Sequence, residues 1–399
     1  MNVLAIPTTY GLSKPISGGQ NRFSNLVKEL KKRENKIVVL ESESFADPND
    51  TNIANIYSYK DYKIFNRTLI IFRDININFI SKLLHILKNE RIDLIQITHP
   101  SGIFVVKILI KLTRNKIPIV YDAHNVESNF VLETFANNPK YSKLERSIIP
   151  KYTKFLEKIM CKYIVDHVTS VSENEGKIFI ERYKLKKEKI TIIPSGCHIL
   201  DLPDIKCKND IKEEIGINSD KLIIFFHGLF THPPNKDAFE TIESYIAQKF
   251  RKIDKRVLFV IGGTGTPKFE RENIKSLGFI EDLYKVMCMA DIAIVPLTSG
   301  AGTKLKILDY LGVGLPIVTT KKGIEGIKAK NGEHVIIVDG VNNDFIDATK
   351  YLIENEEERK RIGANARRLA EEEYDWDKIG EKLDTLYRKI LKERKHANN

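Results

Sequence analysis

Short β-branched runs alternate with helix-period segments from one end of this chain to the other, and that alternation leaves little besides parallel sheets covered by helices. In the first half, strands are expected at Asn2–Ile6, Ile37–Glu41, Leu94–Thr98, Ile117–Asp122, His167–Ser172 and Ile190–Pro194. Helices are expected near Gly19–Lys32, Asn76–Asn89, Gly102–Leu112, Tyr141–Lys162 and Glu173–Tyr183. The polar stretch Ser195–Asp210 breaks the pattern and reads as a linker. A second set follows, with strands at Lys221–Gly228, Arg256–Gly263, Ile274–Ile280, Asp291–Leu297, Leu315–Thr320 and His334–Asp339. The segment Tyr374–Lys395 reads as a terminal helix whose apolar stripe must pack on something. A chain of 399 residues exceeds one ordinary core and fits two domains of about 150 to 200 residues each. The expected domains are residues 1–198, which also receive the helix of residues 374–395, and residues 199–373. Open parallel sheets bind ligands at the carboxyl ends of their strands, so two such domains facing each other would share a cleft.

Composition excludes several other classes. Apolar residues are 42% and charged ones 29%, the mixture of a globular protein. Runs such as Ile103–Ile110 fall far below the roughly 20 residues of a membrane span, and the start MNVLAIPTTYG reads as a first strand rather than a secretory signal. A cytoplasmic location is expected. Cys161, Cys197, Cys207 and Cys288 show no metal-ligand or disulfide spacing and read as reduced thiols. The net charge of +11 favours polyanionic partners. The basic residues are dispersed and carry no nucleic-acid-binding signature, so no nucleic acid is expected. Solvated helix ends explain most of them; the alternative is a patch on the first half that meets an anionic membrane surface.

The stretch GAGTKLKILDYLGVGLPIVTT, Gly300–Thr320, carries the chemistry. A glycine-rich turn leads into a helix expected to start near Gly302 or Thr303, with Lys304 and Lys306 where a helix favours acids. A helix N-terminus with its N–H groups is an anion site, and the two lysines add point charges suited to a phosphate. Leu305, Leu308 and Leu311 recur at helical spacing as the buried stripe, while Lys306 and Asp309 share a neighbouring face. Asp309 can accept from a sugar hydroxyl. The competing reading is a solvated helix start with an ordinary Lys–Asp pair. A Walker A loop is excluded because GxxxxGK[ST] is absent.

The segment Gly278–Ile327 resembles the donor-binding half of family 4 glycosyltransferases, which have the GT-B fold of two facing Rossmann-like domains. HGLFTHPPNKDAFETI (His227–Ile242) resembles the opening strand, loop and helix of that domain. IIPSGCH (Ile192–His198) resembles the interdomain stretch of the family, VTSVSENE (Val168–Glu175) a helix start, and the pair Gly18 and Gly19 the glycine loop of the first domain. The terminal segment with Trp376 resembles a helix that crosses back onto the first domain. This sequence departs from the family at two places. Of the family's spaced pair of glutamates, the first falls on Ala301 and the second on Asp309. The Arg and Lys that many members use to hold phosphate fall near Leu229 and Asn235, so Lys304 and Lys306 would carry that charge, with Lys236 as a helper.

The resemblance implies roles for further residues. PIVYDAHNVESNF, Pro118–Phe130, ends a buried strand in a polar cluster with His124, Asn125 and Glu127, and His124 matches the family histidine that approaches the donor sugar; a strand-end cap is the alternative. His99 reads as structural or acceptor-side. Adjacent glycines at Gly18 and Gly19 let backbone approach a diphosphate. The nucleobase is placed near Phe279 and Ile280, core packing being the alternative for Phe279. VIGGTGTP, Val260–Pro267, lacks the full dinucleotide spacing and reads as turn glycines. The triplet Asp375, Trp376, Asp377 opens a helix, where Asp is a good cap or first-turn residue, so no metal and no other cofactor is expected.

The implied activity is retaining, metal-independent transfer of a hexosyl group from a UDP- or GDP-sugar to a glycan or lipid-linked acceptor, as in polysaccharide biosynthesis, by a cytoplasmic protein reaching the inner face of the membrane. Lys304, Lys306 and the helix start stabilise the leaving diphosphate, with Gly302 and Thr303 beside it. The rivals are a nucleotide-sugar epimerase or phosphorylase of similar architecture, and a non-catalytic nucleotide-sugar-binding protein. Loops Pro7–Ser17, Ser42–Tyr62 and Phe130–Tyr141 are expected to shape the acceptor site.

Overall fold

The computed structural model describes residues 1–7, 11–12, 18–45, 53–64, 67–68, 70–136, 141–199, 205–300 and 302–396. The chain divides into two compact units, Met1–Ser195 with Trp376–Asn399, and Gly196–Asp375.

The first unit is built on a seven-stranded sheet of β1 (Asn2–Ile6), β2 (Lys36–Ser42), β3 (Asn55–Tyr59), β4 (Leu94–Ile97), β5 (Ile119–Ala123), β6 (His167–Ser170) and β7 (Ile190–Ile192). Its order is β3-β2-β1-β4-β5-β6-β7, and every pairing is parallel. Helices cover both faces, so β1, β4 and β5 read as nearly continuous apolar runs. The order reverses between β1 and β4, the place where such sheets open a crevice at their carboxyl ends.

The second unit repeats the plan with β8 (Leu222–His227), β9 (Val257–Gly262), β10 (Lys268–Arg271), β11 (Ile274–Leu277), β12 (Ile292–Val295), β13 (Ile317–Thr320) and β14 (Ile336–Val338). The order is β10-β11-β9-β8-β12-β13-β14, parallel except for the antiparallel edge strand β10. Its reversal lies between β8 and β12.

The helix Trp376–His396 belongs to the first unit. Trp376, Ile379, Leu383 and Tyr387 pack with Phe23, Leu26, Val27 and Leu30 of the helix Gly18–Lys32. A side chain at Gly380 would press on Cβ of Glu29 at 2.5 Å, so glycine sets how closely the two helices approach.

Several expectations need correction. The edge strands β3 and β10 went unread because neither is an unbroken apolar run; each is partly exposed on an edge. The expected acceptor loop after Phe130 is helical through Ala136, since the helix Glu127–Ala136 is capped by the buried carboxylate of Glu157, which accepts from Glu127 N at 2.8 Å and Ser128 N at 3.2 Å. Residues 137–140 of that loop, 8–10 and 13–17 of the first loop and 46–52 of the second lie outside the described residues. The linker stretch turns helical at Ile205, in the helix Ile205–Glu214.

Candidate active site

Two polar centres stand at carboxyl ends of strands, one in each unit. In the second unit, β12 runs through a glycine turn into the helix Leu305–Gly312. The helix starts later than the turn pattern suggested: Lys304 is its N-cap and makes no capping bond with its side chain. Instead the Lys304 ammonium donates to the carbonyls of Gly300 at 2.9 Å and Gly302 at 2.5 Å. Gly300 and Gly302 take φ of +102° and +72°, a conformation that favours glycine. Thr303 Oγ1 is buried and finds no hydrogen-bond partner among the described residues. Ala301 lies outside them.

Nearly the whole helix is buried, including its two charged residues: Lys306 is 8% and Asp309 9% exposed. The Lys306 ammonium donates to Asn235 Oδ1 at 2.7 Å and sits 4.2 Å from the centre of the Phe226 ring. Among the described residues it pairs with no carboxylate. Burial, then the Lys304 charge, push its pKa down to about 7. Asp309 accepts from Tyr284 Oη at 3.3 Å, and burial pushes its pKa up to about 7. His227, at the end of β8, lies with Nε2 3.8 Å from Asp309 Oδ2. Its backbone N–H donates to Tyr310 Oη at 3.0 Å, and its Nδ1 shares a hydrogen bond with the same hydroxyl, also at 3.0 Å. Burial, then the Lys306 charge, push His227 down to about 3, so it is neutral.

Glycines keep space around the lysine. A Cβ at Gly228 would come within 2.9 Å of both Lys306 Nζ and Asn235. Gly263, at φ +134°, packs on the Gly228 carbonyl where no side chain fits. Phe279 is 70% exposed, which removes core packing as its explanation. With Ile280 it borders a cavity of about 790 Å³ that Lys268 and Lys285 also line. Lys236 lies outside this centre, with its ammonium 3.7 Å from Glu240 and half exposed.

In the first unit the centre is Asp122, at the end of β5 and fully buried. Its carboxylate accepts from Arg22 at 2.7 Å, Thr169 at 2.7 Å and Gln96 at 3.3 Å, and lies 3.1 Å from His124 Nε2. Burial pushes its pKa up, but the Arg22 charge and the His124 hydrogen bond outweigh burial and hold the carboxyl well below the usual range. Arg22 rides on the first turns of the helix that Gly18 and Gly19 open. One carboxylate therefore ties the first turns of that helix to the imidazole of His124. His99 accepts from Ser101 N at 3.0 Å through Nδ1 and meets Glu127 Oε1 at 3.3 Å through Nε2. Asp377 is held by Arg33 at 2.7 Å in the first turn of its helix.

Residues 16–199 match the family described as Glycosyltransferase Family 4, and residues 221–355 that described as Glycosyl transferases group 1. The chain belongs to glycosyltransferase family 4. Its two parallel sheets are those of the GT-B fold. HepE of Anabaena, solved in complex with UDP, superposes with a TM-score of 0.70 at 14% identity, covering 98% of this chain and 100% of that one. Spore coat protein SA of Bacillus subtilis is 20% identical over 256 residues, 58% of this chain and 67% of its own length. The chitobiosyldiphosphodolichol beta-mannosyltransferase of Debaryomyces hansenii is 24% identical over 291 residues, 65% of this glycosyltransferase but only 59% of the yeast protein.

Sequence reasoning missed Asp122, Arg22, His227 and Tyr284 in this glycosyltransferase. An acid inside the apolar run IPIVYDA was a readable signal for Asp122, because an acid is rarely fully buried without a partner. Its partner Arg22, 100 positions earlier, was not readable.

Proposed function

We propose that this glycosyltransferase moves a hexosyl group from a UDP- or GDP-sugar to a glycan or lipid-linked acceptor with retention of configuration and without a metal ion. The observation that carries the donor assignment is Lys306, a buried ammonium that pairs with no carboxylate among the described residues, at the point where the second sheet reverses its order. Burying such a charge is costly, and a diphosphate is the ligand that would repay it. Lys306 and the start of its helix hold the diphosphate, and the Lys304 ammonium exchanges its loop carbonyls for phosphate oxygens. Gly302 supplies backbone and Thr303 its unpartnered hydroxyl. Asp309 receives a ribose or sugar hydroxyl, and Phe279 and Ile280 flank the base. His124, oriented by Asp122, is assigned to the donor sugar and Gly18 and Gly19 to the phosphates on the family resemblance.

In the reaction the bond from the anomeric carbon to the diphosphate breaks as the acceptor oxygen bonds the same carbon on the same face. The acceptor proton passes to the leaving phosphate oxygen. The protein's part is to stabilise charge growing on that leaving group, which explains why cations stand where the helix alone would favour acids. The mannosyltransferase name of the Debaryomyces relative and the UDP bound to HepE support the sugar-transfer and nucleotide-donor parts of this reading.

The test is thermal unfolding with UDP, GDP, ADP or NAD in excess chelator, for wild type and Lys306→Ala. A ligand at 100 times Kd adds about 2.7 kcal/mol, a rise of a few degrees. A rise with UDP or GDP that the variant loses supports the assignment. A rise with NAD alone, or with none, overturns it.

A further inference from the structure

The net charge of this chain resides in one of its two units. The first carries 38 Lys and Arg against 24 Asp and Glu, net +14; the second carries 26 against 29, net −3. Exposed apolar side chains divide the same way. Among the described residues, eleven of the fourteen large apolar side chains that stand exposed belong to the first unit.

Both asymmetries meet on the helix Lys143–Ile159 and the π-turn Met160–Ile164 that extends it. Its inner face buries Pro150, Thr153, Leu156 and Glu157. Positions 144, 148, 151, 155, 158 and 162 recur at the spacing of a single helical stripe. That stripe reads Leu, Ile, Lys, Phe, Lys, Lys, and all six are exposed. Leu144 is 68%, Ile148 52% and Phe155 55% exposed. Lys143 and Lys154 flank the stripe. On the helix itself no acid competes, because Glu145 is engaged in the capping box with Ser142 and Glu157 is buried. The helix Ile103–Leu112 adjoins, with Lys107 Nζ 3.5 Å from the Ile164 carbonyl, and exposes Ile108 and Leu112 beside Lys107 and Lys111.

We infer that this face docks on an anionic phospholipid surface. Apolar side chains interleaved with lysines suit the bilayer interface: the apolar groups enter the headgroup boundary while the lysine stems follow them and return their ammonium groups to lipid phosphates. A second copy of the same chain fits poorly, since stacking this face on itself would set its lysines against each other. The inference rests on the transferase reading only for its consequence, that a lipid-linked acceptor would reach the protein on the same surface. Docking itself needs no turnover.

The test is sedimentation of the full chain with vesicles of phosphatidylcholine, alone or mixed with phosphatidylglycerol. Wild type should partition to the mixed vesicles, weakly to the neutral ones, and less as salt rises. One basic residue near an anionic leaflet contributes about fivefold, so Lys151→Glu with Lys154→Glu and Lys158→Glu, which adds repulsion to the three lost attractions, should lose more than about 100-fold. Leu144→Ser with Ile148→Ser and Phe155→Ser should lose more than about tenfold. Both variants should keep the thermal shift with UDP, and the charge-reversed variant keeps the test decisive if the apolar one does not fold. Wild type that ignores anionic vesicles overturns the inference, as do folded variants that bind like wild type, or a wild-type dimer that the apolar variant dissolves in the absence of vesicle binding. Vesicle binding by a protein that answers to no nucleotide would sink the transferase reading and leave the docking surface standing.

Discussion

The two polar centres stand at comparable places in two sheets of similar plan, yet their charges are handled in opposite ways. Asp122 meets Arg22 at 2.7 Å and two further donors, and its carboxyl is held far into the charged form. Lys306 and Asp309 lie one turn apart on one helix, pair with amide, ring and hydroxyl groups rather than with each other, and are both pushed to about 7. The first arrangement is complete by itself and reads as a device that fixes geometry. The second buries a cation that pairs with no carboxylate among the described residues, and that cost is what a ligand can recover.

The largest effect that would sharpen this contrast is on stability. Asp122→Ala leaves Arg22 buried and uncompensated and should destabilise the protein by about 3–5 kcal/mol, read from denaturant unfolding. A loss below 1 kcal/mol would break the view of this centre as a structural hub. Lys306→Met should do the reverse: at pH 6 the ligand-free protein keeps or gains stability because a buried ammonium is gone, while kcat/KM falls by about a hundredfold or more, the scale of one preorganised donor.

A smaller effect is on pH dependence. Lys306 is depressed to about 7 without ligand, and a bound diphosphate would raise it. Binding is then undiminished below pH 7, where both states are protonated, and weakens as pH rises above 7, by up to about tenfold per unit. Calorimetry of UDP binding at pH 8 in buffers of different ionisation heat should show proton uptake in wild type and none in Lys306→Met. The smallest expected effect is that of Tyr284→Phe. It removes a donor to Asp309 and should raise that carboxyl further, costing about 0.5–1.5 kcal/mol of binding free energy, visible as a modest rise in donor KM.

The sheets were legible because strands buried on both faces leave short apolar runs bounded by turn residues, which alternate with helix-period segments along the chain. Lys304, Lys306 and Asp309 were legible because charges on a short apolar helix conflict with its propensity and its burial. What could not be read was pairing. Arg22 is one of many basic residues until β5 brings Asp122 to it. Asn235, near the place where the family resemblance puts a phosphate-holding lysine, looked like a loss of charge, yet its amide oxygen accepts from Lys306. Lys304 was legible as a cation but not as one that closes on its own loop carbonyls.

The helix Trp376–His396 has a consequence for how this chain is made. Its apolar stripe completes the core that Phe23, Leu26, Val27 and Leu30 begin, yet it is translated more than 340 residues later. On the ribosome, residues 196–375 are all available before the first unit can close, so the unit synthesised first is the one finished last. A nascent chain stalled before Trp376 would hold out an uncovered apolar helix face to chaperones until the helix Trp376–His396 emerges and covers it.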